Sequence, residues 1–329
     1  MASRFNKAMT GTEEPSPPDH RPVAIVGAGS IGAGFAIVHA AAGRSVVLCD
    51  AQPQAIEDAT RRIDETLADL ATFGLVDETP AAVAARIGAS SDLSAAVRDA
   101  SFIHECVPED LELKKSVTRE IDELAPADSV IASASSAIPA SDYAADVPGR
   151  ARCLVSHPGN PPFLLRVVEL VPAPFTDQRF TDAARDFLSA ANLATVVVQR
   201  EIRGFVFNRL QGALLREAYC LVRDGVVAVE EIDAIVRGGL GIRWSVVGPF
   251  ETVDLNTRGG IERHAELLGP AYEAMGAERG QHDPWTDELV SAVTRQRRAL
   301  LPLAQWHERV RWRDRELMRL LACKGKDRQ

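Results

Sequence analysis

No run of apolar residues in this 329-residue chain comes near the roughly 20 that a membrane-spanning helix needs, so no membrane span is expected. Positive charge is also short. Lys and Arg number 37 against 46 Asp and Glu, a formal net charge of −9. That balance argues against nucleic acid or an anionic membrane as partner. The five cysteines, at 49, 106, 153, 220 and 323, show no CxxC or ligand-like spacing. They suit the reducing cytoplasm and offer no metal site. The seven histidines form no HxxxH or HxH cluster, so no metal is expected from them either. Residues 1–21 are polar and Pro-rich, lack the apolar core of a secretory signal, and read as a disordered tail. The remaining composition, 46% hydrophobic and 25% charged, is that of a globular protein long enough for two domains.

Strand and helix patterns alternate over residues 22–200. "PVAIVGAGSIGAGFAIVHAAAGRSVVLCD" reads as strand, glycine turn, helix and strand. Further apolar runs follow in "ASFIHECV", "DSVIASAS", "ARCLVSH", "RVVELVP" and "ATVVVQ". This order predicts an α/β fold, a doubly wound and mostly parallel Rossmann-type sheet. From Gly204 onward the apolar spacing turns helical, which predicts an all-α domain over 201–329.

Gly27-Ala28-Gly29-Ser30-Ile31-Gly32 matches GxGxxG between a strand and a helix. Such glycines let backbone approach a pyrophosphate at a helix N-terminus, where free N–H groups favour an anion. Asp50 ends the next strand, where a carboxylate binds ribose hydroxyls and repels a 2′-phosphate. The expected cofactor is therefore NAD. A second pair of residues suggests chemistry. His157 precedes "PGNPP", and Glu169 interrupts the apolar run "RVVELV", where an unpartnered carboxylate would be costly. A carboxylate can hold an imidazole in one tautomer for proton abstraction. By spacing alone, a turn histidine and an unrelated edge glutamate fit equally well.

Six segments carry a resemblance: "GAGSIGAGFA", "HECVPEDLELKK", "SHPGNPPFLLRVVELVPAP", "GFVFNRLQ", "GGLGIRWSVVGPFET" and "WRDRELMRLL". Through them the chain resembles the 3-hydroxyacyl-CoA dehydrogenase superfamily, and within it the λ-crystallin / L-gulonate 3-dehydrogenase branch. The resemblance implies that His157 is the catalytic base and Glu169 its orienting partner. It implies that Asn208 and Ser136 meet the substrate hydroxyl, and that Glu109 and Lys114 face the nicotinamide ribose. Without it, "EDLELKK" reads as a solvated helix start. The resemblance further implies a homodimer made by the helical domain.

Two features bear on the substrate. The superfamily's CoA enzymes receive phosphates on lysines of the insert after the second strand. Here that insert, 51–85, holds Arg61 and Arg62 against seven carboxylates and no lysine. Arg243 in "GLGIRW" resembles the branch acting on small carboxylates, where an arginine can clamp the acid bidentately; otherwise it reads as a surface ion-pair residue. The expectation is NAD-linked oxidation of the 3-hydroxy group of a free acid, L-gulonate leading, with carnitine and 3-hydroxybutyrate open. The alternatives are a 3-hydroxyacyl-CoA dehydrogenase and a non-catalytic crystallin-like protein.

Overall fold

A computed structural model describes residues 20–280 and 286–306, together with 308, 309 and 312. The described residues form two compact units, divided between Leu214 and Leu215. Of the expected tail 1–21, all but His20 and Arg21 lies outside the described residues, and Arg21 Nη1 donates to Asp128 at 3.0 Å. All of "WRDRELMRLL" except Trp312 lies outside them too.

The first unit is built on eight short strands: β1 (Val23–Val26), β2 (Val46–Cys49), β3 (Ile87–Ser90), β4 (Phe102–Glu105), β5 (Val130–Ser133), β6 (Cys153–Pro158), β7 (Val167–Pro172) and β8 (Ala194–Val197). They lie in the order β3-β2-β1-β4-β5-β6-β7-β8. Neighbours run parallel except β6 and β7, which are antiparallel. Because helices cover both faces, β1, β4 and β5 are buried along their whole length; β1 reads as a continuous apolar run, β5 as one that ends on Ser133, while β4 ends on the buried polar residues His104 and Glu105. One face packs on the helices Ser30–Ala41, Pro53–Thr72 and Gln178–Ser189 through Phe35, Leu67 and Leu188. The other carries Ile121 of the helix Leu111–Leu124, with Ile103 and Ile131. Strand β3, "IGAS", escaped the sequence pattern because it is a half-exposed edge with one large apolar residue.

A polar pair lies within this core. His39 and His104 are both 0% exposed, their Nε2 atoms 2.9 Å apart, with Phe35 stacked 3.9 Å from His104. Burial, with the charge of Arg44 second, pulls His39 down from 6.5 to about 3. Burial also lowers His104. In each case the folded value lies below the unfolded one, so below pH 6.5 the unfolded chain binds protons that the folded core refuses. Stability is therefore full above 6.5 and falls as pH drops toward 3, by roughly 1.4 kcal/mol per pH unit for His39 alone. Urea unfolding at about pH 7.5 and about pH 5 should show the loss; equal midpoints would remove the argument.

The second unit is helical, with no strand among its described residues. Its core gathers Val247, Leu255 and Leu301. Beside it Asp254, 0% exposed, accepts from Arg298 Nη2 and from the Ile261 amide. This ties the helices Pro249–Asn256, Gly260–Glu278 and Asp287–Leu300 together.

Candidate active site

The glycine turn sits at the carboxyl end of β1, where the sheet order reverses between β1 and β4, the usual crevice of such sheets. Each glycine has its own reason. Gly27 has φ +109°, and a Cβ there would lie 2.5 Å from the Cys106 carbonyl oxygen. A Cβ on Gly32 would collide with the Gly27 carbonyl, so only glycine lets helix Ser30–Ala41 pack this close to β1. At Gly29 nothing lies within 4 Å of the Cβ position. That open side faces the start of a helix whose N-terminus no side chain caps. Ser30 and Ile31 begin that helix and line the same cleft of about 920 Å³. These residues fit the pyrophosphate of a dinucleotide.

Asp50 also lines the cleft, its Oδ2 accepting from the Ala28 amide and its Oδ1 from the Gln52 amide, both at 2.9 Å. Asp58, Asp92 and Glu120 border the same space. A 2′-phosphate would enter against four carboxylates and a single arginine, Arg62. Asp50→Asn should therefore raise the NADP-to-NAD ratio of kcat/KM by about tenfold, measured with both cofactors under one substrate. An unchanged ratio would mean that discrimination lies elsewhere.

His157 and Glu169 face each other across the antiparallel pair β6/β7, in direct register. His157 Nδ1 donates to Glu169 Oε2 at 2.8 Å, which fixes the tautomer and leaves Nε2 as the basic nitrogen. The other carboxylate oxygen, Oε1, accepts from the amides of Val206 at 2.8 Å and Phe207 at 3.0 Å. Burial raises the Glu169 carboxyl. The hydrogen bonds from His157, Phe207 and Val206 outweigh it and hold it below the usual carboxylate range. The sequence could not explain Gly159. A Cβ there would lie 2.8 Å from Leu165 Cβ and 3.0 Å from the Leu165 carbonyl oxygen, so the turn after His157 closes too tightly for a side chain. His157 is the penultimate residue of β6, at the same carboxyl end of the sheet as the glycine turn and three strands away, roughly 14 Å at ~4.8 Å per strand.

A second carboxylate organises the loop after β5. Glu109 Oε1 accepts from Ser135 Oγ at 2.7 Å, from the Ala137 amide at 2.8 Å and from the Ser136 amide at 3.1 Å. Burial pushes Glu109 up, but these bonds and the charge of Lys114 hold it low. The Ser136 carbonyl in turn accepts from Asn208 Nδ2 at 2.8 Å. Ser136 thus joins this network through its backbone amide and carbonyl. Lys114 lies behind this loop, 1% exposed, its Nζ 3.0 Å from both oxygens of Glu105 and 4.0 Å from Glu109. Glu105 itself is fully buried and accepts from Ser133 Oγ and the Val107 amide.

Sequence reasoning passed over Glu105 and the Val206 and Phe207 amides. Glu105 was available to the same argument that drew attention to Glu169, since "FIHECV" also carries one carboxylate inside an apolar strand. The amides left no trace in residue identity. Arg243 lies in the second unit, on the helix Gly241–Trp244. Its Nε is buried without a hydrogen-bond partner, and no carboxylate pairs with it among the described residues.

Comparison with known proteins follows the same outline. A family model described as 3-hydroxyacyl-CoA dehydrogenase, NAD binding domain, matches residues 22–202, and the corresponding C-terminal domain matches 204–301. A protein named 3-hydroxyacyl-CoA dehydrogenase from Gibberella moniliformis is 33% identical, over 93% of this chain and 95% of its own length. A lambda-crystallin homolog from Bos taurus is 36% identical, over 78% and 83%. An L-carnitine dehydrogenase from Streptomyces griseus is 37% identical, over 82% and 78%.

Proposed function

The chain belongs to the 3-hydroxyacyl-CoA dehydrogenase family, and on that premise we propose that it oxidises the 3-hydroxy group of a small free hydroxy acid, L-gulonate the leading candidate. It is an NAD-dependent oxidoreductase acting on a CH–OH group. Arg243 carries the choice of a free acid: a guanidinium that no carboxylate pairs with among the described residues is suited to receive the substrate's. The helix Pro53–Thr72 supports it, since Arg61 is already paired with Asp58, no lysine is present, and Arg62, which lines the cofactor cleft, is the one other cation of the helix to receive a CoA phosphate. The relative named for L-carnitine keeps that acid open, and 3-hydroxybutyrate stays with it.

NAD, held by Gly27, Gly29, Ser30, Ile31, Gly32 and Asp50, supplies the hydride acceptor when bound. The protein's own groups do the rest. Arg243 anchors the carboxylate, and Ser136 and Asn208 orient the C3 hydroxyl. His157 Nε2 takes the hydroxyl proton, and Glu169 balances the charge that forms on the imidazole. Glu109 flanks the nicotinamide ribose, and Lys114, buried 4.0 Å behind it, supports that carboxylate by its charge. In this reading residues 22–200 serve the cofactor and 201–329 the substrate and the pairing of two copies in the cytoplasm. The helix Phe207–Arg223 buries none of its residues and exposes Leu210, Leu215 and Tyr219, as a dimer face would.

NAD reduction with L-gulonate, carnitine, 3-hydroxybutyrate and 3-hydroxybutyryl-CoA, side by side, tests the reading. Turnover of one free acid, at least tenfold weakened in KM by Arg243→Lys, is the expected result. Turnover of the thioester alone would replace it with the acyl-CoA reading. NAD binding without turnover of any would favour the crystallin-like one.

A further inference from the structure

The residues that hold Glu169 have an unusual backbone. Gly204 has φ +74° and Phe205, a bulky aromatic, has φ +46°. A left-handed conformation is common for glycine and a genuine outlier for phenylalanine, and it persists only where the surroundings over-determine it. Here they do. Phe205 is 0% exposed, its ring centroid 5.7 Å from that of His157, and its amide donates to the Ile202 carbonyl at 3.0 Å to close the turn. One residue later the chain enters the helix Phe207–Arg223, with the Val206 carbonyl already accepting from the Leu210 amide at 3.0 Å, so the left-handed residue is followed at once by a helix start. Such a reversal turns successive amides to one side and makes a concave anion receptor. The anion in it is a side chain of the same protein: the amides of Val206 and Phe207 both end on Glu169 Oε1.

We infer that residues 204–207 are a built-in carboxylate receptor whose task is to aim Glu169, and through it His157, with Phe205 as the positioning residue that locks the receptor's shape. The ring of Phe205 packs beside the imidazole while its backbone sets the amides that grip the imidazole's partner, so one residue fixes both members of the pair. Glu169 thus has no rotational freedom of its own: one oxygen is held by the receptor and the other by Nδ1. The inference rests on the reading of His157 as the base.

Position 207 begins the helix, where proline is well tolerated because its missing N–H has no partner within the helix. Phe207→Pro therefore deletes one receptor amide, and Phe207→Ala deletes the same ring while keeping the amide. Val206→Pro against Val206→Ala repeats the comparison at the other amide. Each proline variant is expected to lose about 10- to 100-fold in kcat relative to its alanine counterpart, with KM for NAD nearly constant. The acid limb of the kcat/KM pH profile should also move. His157→Ala is run beside them, with NAD binding by fluorescence as the check on folding. Equal kcat and pH profiles within each pair, with His157→Ala inactive, would overturn the receptor and leave the base standing. An active His157→Ala would overturn the base itself. Should neither proline variant fold, amide exchange decides: in the unaltered protein the Val206 and Phe207 amides should exchange at least about tenfold slower than in Glu169→Ala, and equal rates would end the proposal.

Discussion

Replacing His157 with alanine is expected to lower turnover by 10²–10⁴, the range a positioned general base contributes. The geometry confines that loss to the chemical step. Nδ1 is committed to Glu169, so the imidazole can act only through Nε2, and apart from Glu169, whose two oxygens are held by His157 and the Val206 and Phe207 amides, no residue of β6 or β7 is a base. NAD affinity should change little, because the cleft lined by Gly27, Ser30 and Asp50 lies three strands away in the sheet. The fold should also survive. Without the imidazole, Glu169 keeps its hydrogen bonds from the Val206 and Phe207 amides, so no buried carboxylate is stranded. His157→Gln is the sharper companion: its amide can still donate to Glu169 yet cannot accept a proton at neutral pH. Steady-state kinetics of both variants should show equal inactivity. Near-normal turnover in either would remove His157 from the chemistry.

The second large effect concerns stability. Lys114 and Glu105 are 1% and 0% exposed in their side chains, with Nζ 3.0 Å from the carboxylate. A buried pair of this kind adds little net stability, because desolvating two charges offsets their attraction. Removing Lys114 is another matter: Glu105 would keep its bonds from Ser133 Oγ and the Val107 amide but lose its counter-charge while fully buried, at about 3–5 kcal/mol. Lys114→Met should therefore consume a large part of the ~5–15 kcal/mol by which a domain is stable. Thermal unfolding should drop by roughly 10 °C at ~2–4 °C per kcal/mol. The double variant Lys114→Met with Glu105→Gln, which no longer strands a charge, should recover at least half of the loss. A single variant as stable as the wild type would show that water reaches the pair. A double variant no better than the single would show that Lys114 matters through packing alone.

Much of this could be read in the residues. Strands such as "VAIV" and "VIAS" are buried on both faces and announce themselves as apolar runs, and the glycine turn lies between a strand and a helix as its spacing requires. Strand β3 was hidden because an edge strand needs few apolar residues. Within the site, Glu169 was conspicuous as a charge in an apolar run, but its register opposite His157 is a property of the hairpin that no spacing reveals. Ser136 engages the loop through its amide and carbonyl, and Val206 and Phe207 hold Glu169 through theirs. Backbone groups are the same in every residue, so this half of the site is silent in the sequence.

The single antiparallel step in the sheet has a consequence for how the chain can vary. Because β6 and β7 are hydrogen-bonded neighbours, the ladder itself sets the spacing of His157 and Glu169, and the eight residues from Gly159 to Arg166 that connect the two strands do not. Leu164 and Leu165 of that connection are exposed. Extra residues inserted at this tip would be absorbed outside the ladder, whereas one inserted between Ser156 and His157, or between Glu169 and Leu170, would turn His157 or Glu169 to the opposite face from the rest of its strand. The two groups are thus joined by a connection anchored at Gly159 and Pro162 but open at Leu164 and Leu165, so that its tip can change in sequence and length while the ladder keeps the proposed base and its partner in register.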